Sequence, residues 1–289
     1  MSPRRDLHEA NRRSWNAATV AHNSHKRDQA AFLRSGGSTL FPEELALLGD
    51  IRGKKLVHLQ CNAGQDSLSL ALLGAAVTGV DISDEAVRFA RELSAAAGIE
   101  ASFVRSDIYD WFEQTAVSGE RFDLVYTSYG ALPWLSDITA WGRGIATVLA
   151  PGGRLVTIEF HPLMWVFEPD WSRRFDYFPT PAPFFSEEGV NDYVGASEGL
   201  LSPSGHDVEP SAFVNPHPSY EFQWPVADVV TALLDAGLEL EALKEYPYAN
   251  GWKPFENMRT DEERRTWPPA GMPDLPMMFS LAARAPAGH

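Results

Sequence analysis

Three short stretches of this chain hold side chains that could do chemistry. Asp81 ends the apolar run 76–80, and Asp107 follows the run 101–104 within Ser106-Asp107-Ile108. An ionised carboxylate accepts through two oxygens, so Asp81 can take both hydroxyls of a ribose diol. Ile82, beside it, is placed to lie against a flat base. Asp107 can cap a helix over 109–116. Upstream, the turn Gln60-Cys61-Asn62-Ala63-Gly64 joins the apolar run 56–59 to a helical pattern over 65–73. Gly64 permits a sharp turn and a close ligand approach, and Asn62 tolerates positive φ. A third stretch, Thr127-Ser128-Tyr129, closes the run 122–127, and His161 follows the run 154–160. If a bound nucleophile must lose a proton, His161 is the best-placed base; Tyr129, Glu159, His22, His25 and His217 are the other candidates.

The elements that must position these groups read as alternating strands and helices. Residues 56–59, 65–73 and 76–80 form a strand-turn-helix-strand unit with Gly74 ending its helix. In an open parallel sheet, ligands bind at the carboxyl ends of the strands, which is where all three stretches fall. A dinucleotide needs the turn G-x-G-x-x-G to seat its pyrophosphate. Here one glycine of that pattern is present, and Asp66 stands in the first helical turn, where it suits the helix dipole but repels a pyrophosphate. S-adenosylmethionine carries no phosphate and does not need the glycine run. The turn therefore favours S-adenosylmethionine over NAD, with an NAD-dependent oxidoreductase as the alternative.

At Val57-His58-Leu59-Gln60-Cys61-Asn62-Ala63-Gly64 the chain resembles the class I S-adenosylmethionine-dependent methyltransferases, whose first motif reads hydrophobic-acidic-hydrophobic-G-x-G-x-G. His58 stands where an acid is common, and Gln60 and Asn62 stand for glycines. The L-x-P-G-G-x-L pattern from Leu149 to Leu155 is also similar to the stretch before that family's fifth strand. The resemblance implies an α/β, Rossmann-like, seven-stranded, mostly parallel sheet with helices on both faces and an antiparallel last strand. It implies cofactor contacts from Gln60, Asn62, Gly64, Asp81, Ile82, Asp107, Ile108 and Thr127, with Asp107 accepting from the adenine amino group. It also implies that Thr127, Ser128 and Tyr129 lie near the sulfonium and that N-terminal helices cap the cofactor, with Trp15, His22 and His25 as lid residues. The expected substrate contacts are Tyr129, Trp134, His161 and Trp165, and the expected catalytic groups His161 and Tyr129. The implied activity is methyl transfer to an O, N or C atom of a small aromatic or heterocyclic metabolite. A protein that binds the same cofactor for a non-methylating or regulatory role is the other reading.

The 289 residues divide into an N-terminal helical cap (1–50), a cofactor-binding core (51–160), an insertion rich in aromatics and prolines (161–218) and a completion of the core (219–289). Long irregular insertions in compact enzymes usually serve as lids or binding loops. The alternative for this one is an interface with a second copy of the chain, giving a homodimer. The loop 248–276, with Asn250, Trp252, Lys253 and Arg259, is left unplaced by the sequence. A net charge of −15 argues against a nucleic-acid partner, whose binding draws on Lys and Arg. The cluster Arg4, Arg5, Arg12 and Arg13 reads as a solvated helix face. No run is long and apolar enough for a membrane span, and the first 16 residues lack the apolar core of a signal peptide. One cysteine, Cys61, excludes an internal disulfide and fits the cytoplasm. No H-E-x-x-H or paired-cysteine spacing points to a metal, so none is expected. No G-x-S-x-G elbow or P-loop is present.

Overall fold

The computed structural model describes residues 2–178, 182–207 and 213–287. Five apolar runs become β1 (Lys55–Leu59), β2 (Ala76–Asp81), β3 (Ser102–Arg105), β4 (Phe122–Ser128) and β5 (Leu149–Phe160). They lie parallel in the order β3-β2-β1-β4-β5. Two short strands, β6 (Phe184–Ser186) and β7 (Ser219–Glu221), pair with each other outside this sheet. β8 (Glu239–Tyr246) becomes its far edge. The segment after it folds into a small antiparallel sheet of β9 (Ala249–Asn250), β10 (Arg259–Thr260) and β11 (Arg265–Trp267). The last strand, β12 (Met278–Arg284), runs antiparallel between β5 and β8 and completes a seven-stranded sheet.

Helices cover both faces because alternate strand residues point to opposite sides. On one face Val57, Leu59 and Val125 pack with Trp111 and Phe112 of α6 (Ile108–Ser118), Trp141 and Ile145 of α7 (Ile138–Val148), and Val229 and Leu233 of α8 (Val226–Asp235). On the other, Leu56, Leu124, Tyr126 and Val156 meet Leu48 of α3 (Pro42–Leu48) and Leu70 of α4 (Gln65–Leu72). Leu68, Phe103 and Val87 of α5 (Asp84–Ala97) join Leu33 of α2 (Gln29–Arg34) in a third cluster. The longest helix, α1 (Arg5–Ser24), lies across α5 and β7.

Local chemistry sets the boundaries. Ser83 Oγ accepts from Ala86 N at 3.1 Å and starts α5, and Gly98 in left-handed backbone ends it. α7 begins at Ile138 because Asp137 is its cap, accepting from Ala140 N at 2.9 Å. The Pro151-Gly152-Gly153 turn does not break the chain before β5. It is stitched to the last strand instead, with Ala285 N donating to Gly153 O at 2.8 Å. Within the N-terminal cap, α1 and α2 are separate helices, since Asp28 accepts from Ala31 N at 2.8 Å and caps α2 afresh. Among the described residues, no helix is long and apolar enough to cross a membrane.

Candidate functional site

The loops at the carboxyl ends of β1, β2, β3, β4 and β5 open on one cavity of about 880 Å³, roofed by α1, the insertion and the segment after β8. Two of these loops carry strained backbone. Gln60 and Asn62 have φ of 54° and 48° after β1, and Tyr129 has φ of 41° after β4. Non-glycine residues held there cost about 1–3 kcal/mol each and gather at functional sites. Gly64 (φ 79°) needs its missing side chain, because a Cβ there would lie 2.7 Å from Ala90 Cβ. It shapes the turn and is not part of the cavity wall.

Asp81 is at the wall and is the hinge of the β1 and β2 loops. Its Oδ2 accepts from Asn62 N and its Oδ1 from Ser83 N, both at 2.8 Å. Burial pushes its carboxyl up to about 6 against those hydrogen bonds. Each oxygen keeps a further lone pair, so the two acceptors fit the hydroxyls of a ribose diol. Asp107 caps α6 by accepting from Tyr109 N at 2.9 Å, and its other oxygen meets His8 Nδ1 at 2.6 Å. Burial opposes its charge, but the bonds from His8 and Tyr109 outweigh it and hold the carboxyl below its usual range. The cap and cofactor readings of Asp107 are thus compatible. Ile82 and Ile108 also face the cavity, and Gln60 does so while its Nε2 donates to Ala131 O at 2.8 Å.

Thr127 departs from expectation. It is fully buried in β4 and absent from the wall, because the strand alternation turns Ser128 to the cavity in its place. His161 departs further. Its Nδ1 accepts from Leu163 N at 3.1 Å, which leaves the ring hydrogen on Nε2, donated to Glu245 Oε1 at 3.0 Å. The ring caps the 3₁₀ turn Pro162–Val166, is 4 % exposed and does not reach the cavity, so it is neither a base nor a substrate contact there. Tyr129 does line the cavity. Its hydroxyl donates to Glu44 Oε1 and accepts from Asn250 Nδ2 at 2.9 Å. Burial beside Glu44 pushes that phenol far above its ordinary value, so it stays neutral and serves as a wall. Of the lid candidates, Trp15 and His22 face the cavity, whereas His25 does not and instead pairs with Asp192 of the wall at 2.7 Å.

At the other end, rings form a continuous wall. Phe160 and Trp252 have centroids 4.5 Å apart, and Trp252 and Trp165 5.7 Å. Trp134 meets Trp15 edge-on at 5.3 Å. Trp165, Phe167, Phe175, Phe184 and Tyr193 of the insertion line the cavity, and Phe185 borders it while largely exposed.

Three acids were not legible as site residues, or only as base candidates. Glu159 is a base candidate in the sequence, yet its carboxylate accepts from Gly130 N, from Ala131 N at 2.7 Å and from Leu132 N at 3.0 Å. It holds the loop after β4 in shape. The signal for it was an acid inside an apolar strand. Glu44 accepts from both Tyr129 and Tyr126, the latter at 3.0 Å, and no local pattern announced it. Glu221, on β7, receives one hydrogen bond, from Trp165 Nε1 at 3.0 Å, and otherwise faces the aromatic end of the cavity. Burial raises its pKa against that bond and the charge of Arg174. Among the other acids of the wall, Asp81 and Asp107 are engaged as described, Asp192 pairs with His25, Asp66 accepts from Thr39 and Glu188 is exposed.

Comparison with known proteins agrees with this geometry. A family profile described as a methyltransferase domain matches residues 57–153. The ubiquinone biosynthesis O-methyltransferase of Methylobacterium sp. (strain 4-46) is 33 % identical over 124 residues, 43 % of this chain and 45 % of that one. Its counterpart in Xanthomonas axonopodis pv. citri (strain 306) is 35 % identical over 103 residues, 36 % of this chain and 41 % of that one. The chain thus spans less than half the length of the curated relatives it matches. Among solved structures, an S-adenosylmethionine-dependent methyltransferase from Mesorhizobium loti superposes with a TM-score of 0.52 at 21 % identity, covering 86 % of this chain and 99 % of that one. A putative one from Listeria monocytogenes gives 0.53 at 16 % identity, covering 84 % and 96 %. Residues 57–153 are thus similar to a methyltransferase domain, and the parallel sheet with its one reversed strand has the fold of the S-adenosylmethionine-dependent methyltransferases on which it superposes.

Proposed function

We propose that the protein methylates a heteroatom of a small aromatic metabolite. The observation that carries this reading is one continuous cavity with an acid-lined shelf at the ends of β2 and β3 and an aromatic chamber at the other end. Bound S-adenosylmethionine supplies an electrophilic methyl group on a sulfonium, and displacement at that carbon asks the protein chiefly for alignment. Asp81 holds the ribose. Ile82, Ile108 and Asp107 bracket the adenine, and the Gln60 to Gly64 turn faces the methionine end. Ser128 and the wall of Tyr129 border the space between cofactor and acceptor. Trp134, Trp165 and Trp252 clasp a flat ring by stacking and area burial. Glu221 takes the acceptor's proton when the nucleophile carries one, since burial raises the proton affinity of this half-buried carboxylate facing the cavity. That two matched relatives are named ubiquinone biosynthesis O-methyltransferases supports a ring hydroxyl as acceptor. Cys61, a buried free thiol, suits the reducing cytoplasm.

The test is incubation with S-adenosylmethionine and a panel of phenols, catechols and aromatic amines, with mass spectrometry for methylated product and S-adenosylhomocysteine. Product and S-adenosylhomocysteine appearing in step with one acceptor class is the expected result. Cofactor that binds but is never consumed across the panel counts against methyl transfer to aromatics.

A further inference from the structure

Lys26 and Arg264 bring two positive charges to the cavity wall from opposite ends of the chain. Lys26 follows α1. Arg264 sits in the turn between β10 and β11 in left-handed backbone, with φ of 63°. Its guanidinium lies 4.4 Å from the Phe41 ring centroid, and its Nη1 donates to Leu200 O at 3.2 Å. Among the described residues neither cation has an ion-pair partner, whereas Lys253, on the same wall, reaches Glu198 at 3.3 Å and the adjacent Arg265 pairs with Glu43. Both feel the charge of Asp66 in the first turn of α4, whose Oδ1 accepts from Thr39 Oγ1 at 2.5 Å. Burial opposes both charges: it pulls the Lys26 ammonium down to about 8 and the Arg264 guanidinium below its ordinary value. Half-buried cations without partners are unfavourable on their own. A cavity that keeps two of them open is complementary to an anion.

We propose that Lys26 and Arg264 form a carboxylate-binding site in the cavity wall. The planar guanidinium matches a carboxylate with two parallel hydrogen bonds, and Phe41 fixes its plane. Asp66 beside them disfavours a doubly charged phosphate, whose repulsion would be larger than that of a single carboxylate. Two ligands carry such a group, the amino-acid end of the cofactor and an acidic aromatic acceptor, and the first source rests on the functional reading above. Neither residue falls within the matched segment 57–153, so the site belongs to what surrounds the shared core.

Calorimetric titration of the full chain separates the sources. S-adenosylhomocysteine is compared with 5′-methylthioadenosine, which keeps the nucleoside and thioether but lacks the amino-acid end. Protein saturated with S-adenosylhomocysteine is then titrated with benzoate and with benzamide. If the cofactor supplies the carboxylate, S-adenosylhomocysteine binds at least about tenfold more tightly than 5′-methylthioadenosine, and Lys26→Met and Arg264→Met each erode that preference. If the acceptor supplies it, benzoate is preferred over benzamide and the same variants erase that difference. Arg264→Lys keeps the charge and retains part of either preference, which a merely structural role of Arg264 would not produce. Methionine keeps the aliphatic stems, and thermal melts check folding. The wild-type comparisons stand even where a variant does not fold. Wild-type protein with neither preference, or preferences that survive both methionine variants, overturn the site. Wild-type protein that binds neither nucleoside overturns the cofactor reading and the first source with it; benzoate and benzamide titrated into the free protein then decide the second, and no preference between them overturns the site.

Discussion

At the scale of single residues, the two acids on the strand ends behave differently from the histidine. Asp81 lies where a strand ends at the open edge of the sheet, and its position follows from the apolar run before it. His161 also follows a strand, yet its side chain is spent on a local cap and on Glu245. A one-dimensional pattern locates a strand end but not the direction in which the next side chain leaves it, which is why Asp81 was legible and the orientation of His161 was not. Asp81→Ala removes both acceptors for the ribose diol and should weaken S-adenosylhomocysteine at least about tenfold, ~1.4 kcal/mol, by calorimetry; unchanged affinity would remove Asp81 from the site. Glu221 was invisible in the sequence because its environment is made by Trp165, 56 positions away. If Glu221 is the base, burial moves the acid limb of turnover upward from the usual carboxylate value, and activity falls as pH drops through it. Glu221→Gln keeps an acceptor for the Trp165 indole but cannot take a proton. Turnover should fall by roughly 100-fold with cofactor affinity intact, and the acid limb should vanish. A variant with the wild-type pH profile would clear Glu221 of that role.

At the scale of elements, the core strands and helices were readable because period-two and period-3.6 patterns dominate them. The seven-stranded sheet with its reversed last strand appears as the resemblance implied. The segments outside this core were not readable. The loop 248–276 contains a small sheet whose strands are two or three residues long, too short to show a period. α3 offers a sharper lesson, since its Glu44 is buried under β4 and bonded to Tyr126 and Tyr129, although its residue type suggests solvent. Burial beside Asp66 raises the Glu44 carboxyl from 4.5 to about 8. The folded chain therefore keeps a proton that the unfolded chain releases, and stability is lost as pH rises through that window by on the order of 1.4 kcal/mol per pH unit. Glu44→Gln carries no such proton, so its melting temperature should fall less than that of wild type between about pH 5 and about pH 8. Parallel declines in the two proteins would contradict the buried-acid account.

At the scale of the whole molecule, the matched segment supplies β1 to β4, the start of β5 and the shelf, and the rest of the chain supplies most of the chamber. α1 contributes His8, Trp15 and His22 to the cavity, the insertion contributes Trp165 and Tyr193, and the segment after β8 contributes Asn250, Trp252 and Arg264. This division explains why the cofactor class could be argued from the Gln60 to Asp81 stretch, while the acceptor chemistry emerged only when distant segments were brought together. The similarity over 57–153 reaches only part of the chamber, through Tyr129 and Trp134. Asp66 in the first turn of α4 now shares the cavity with Asp81, which strengthens the case against a pyrophosphate at that helix end. The most direct test of the account is calorimetric titration of the protein with S-adenosylmethionine, S-adenosylhomocysteine and NAD. The account predicts micromolar binding of the first two and none of NAD. Binding of NAD alone, or of none of the three, would contradict it.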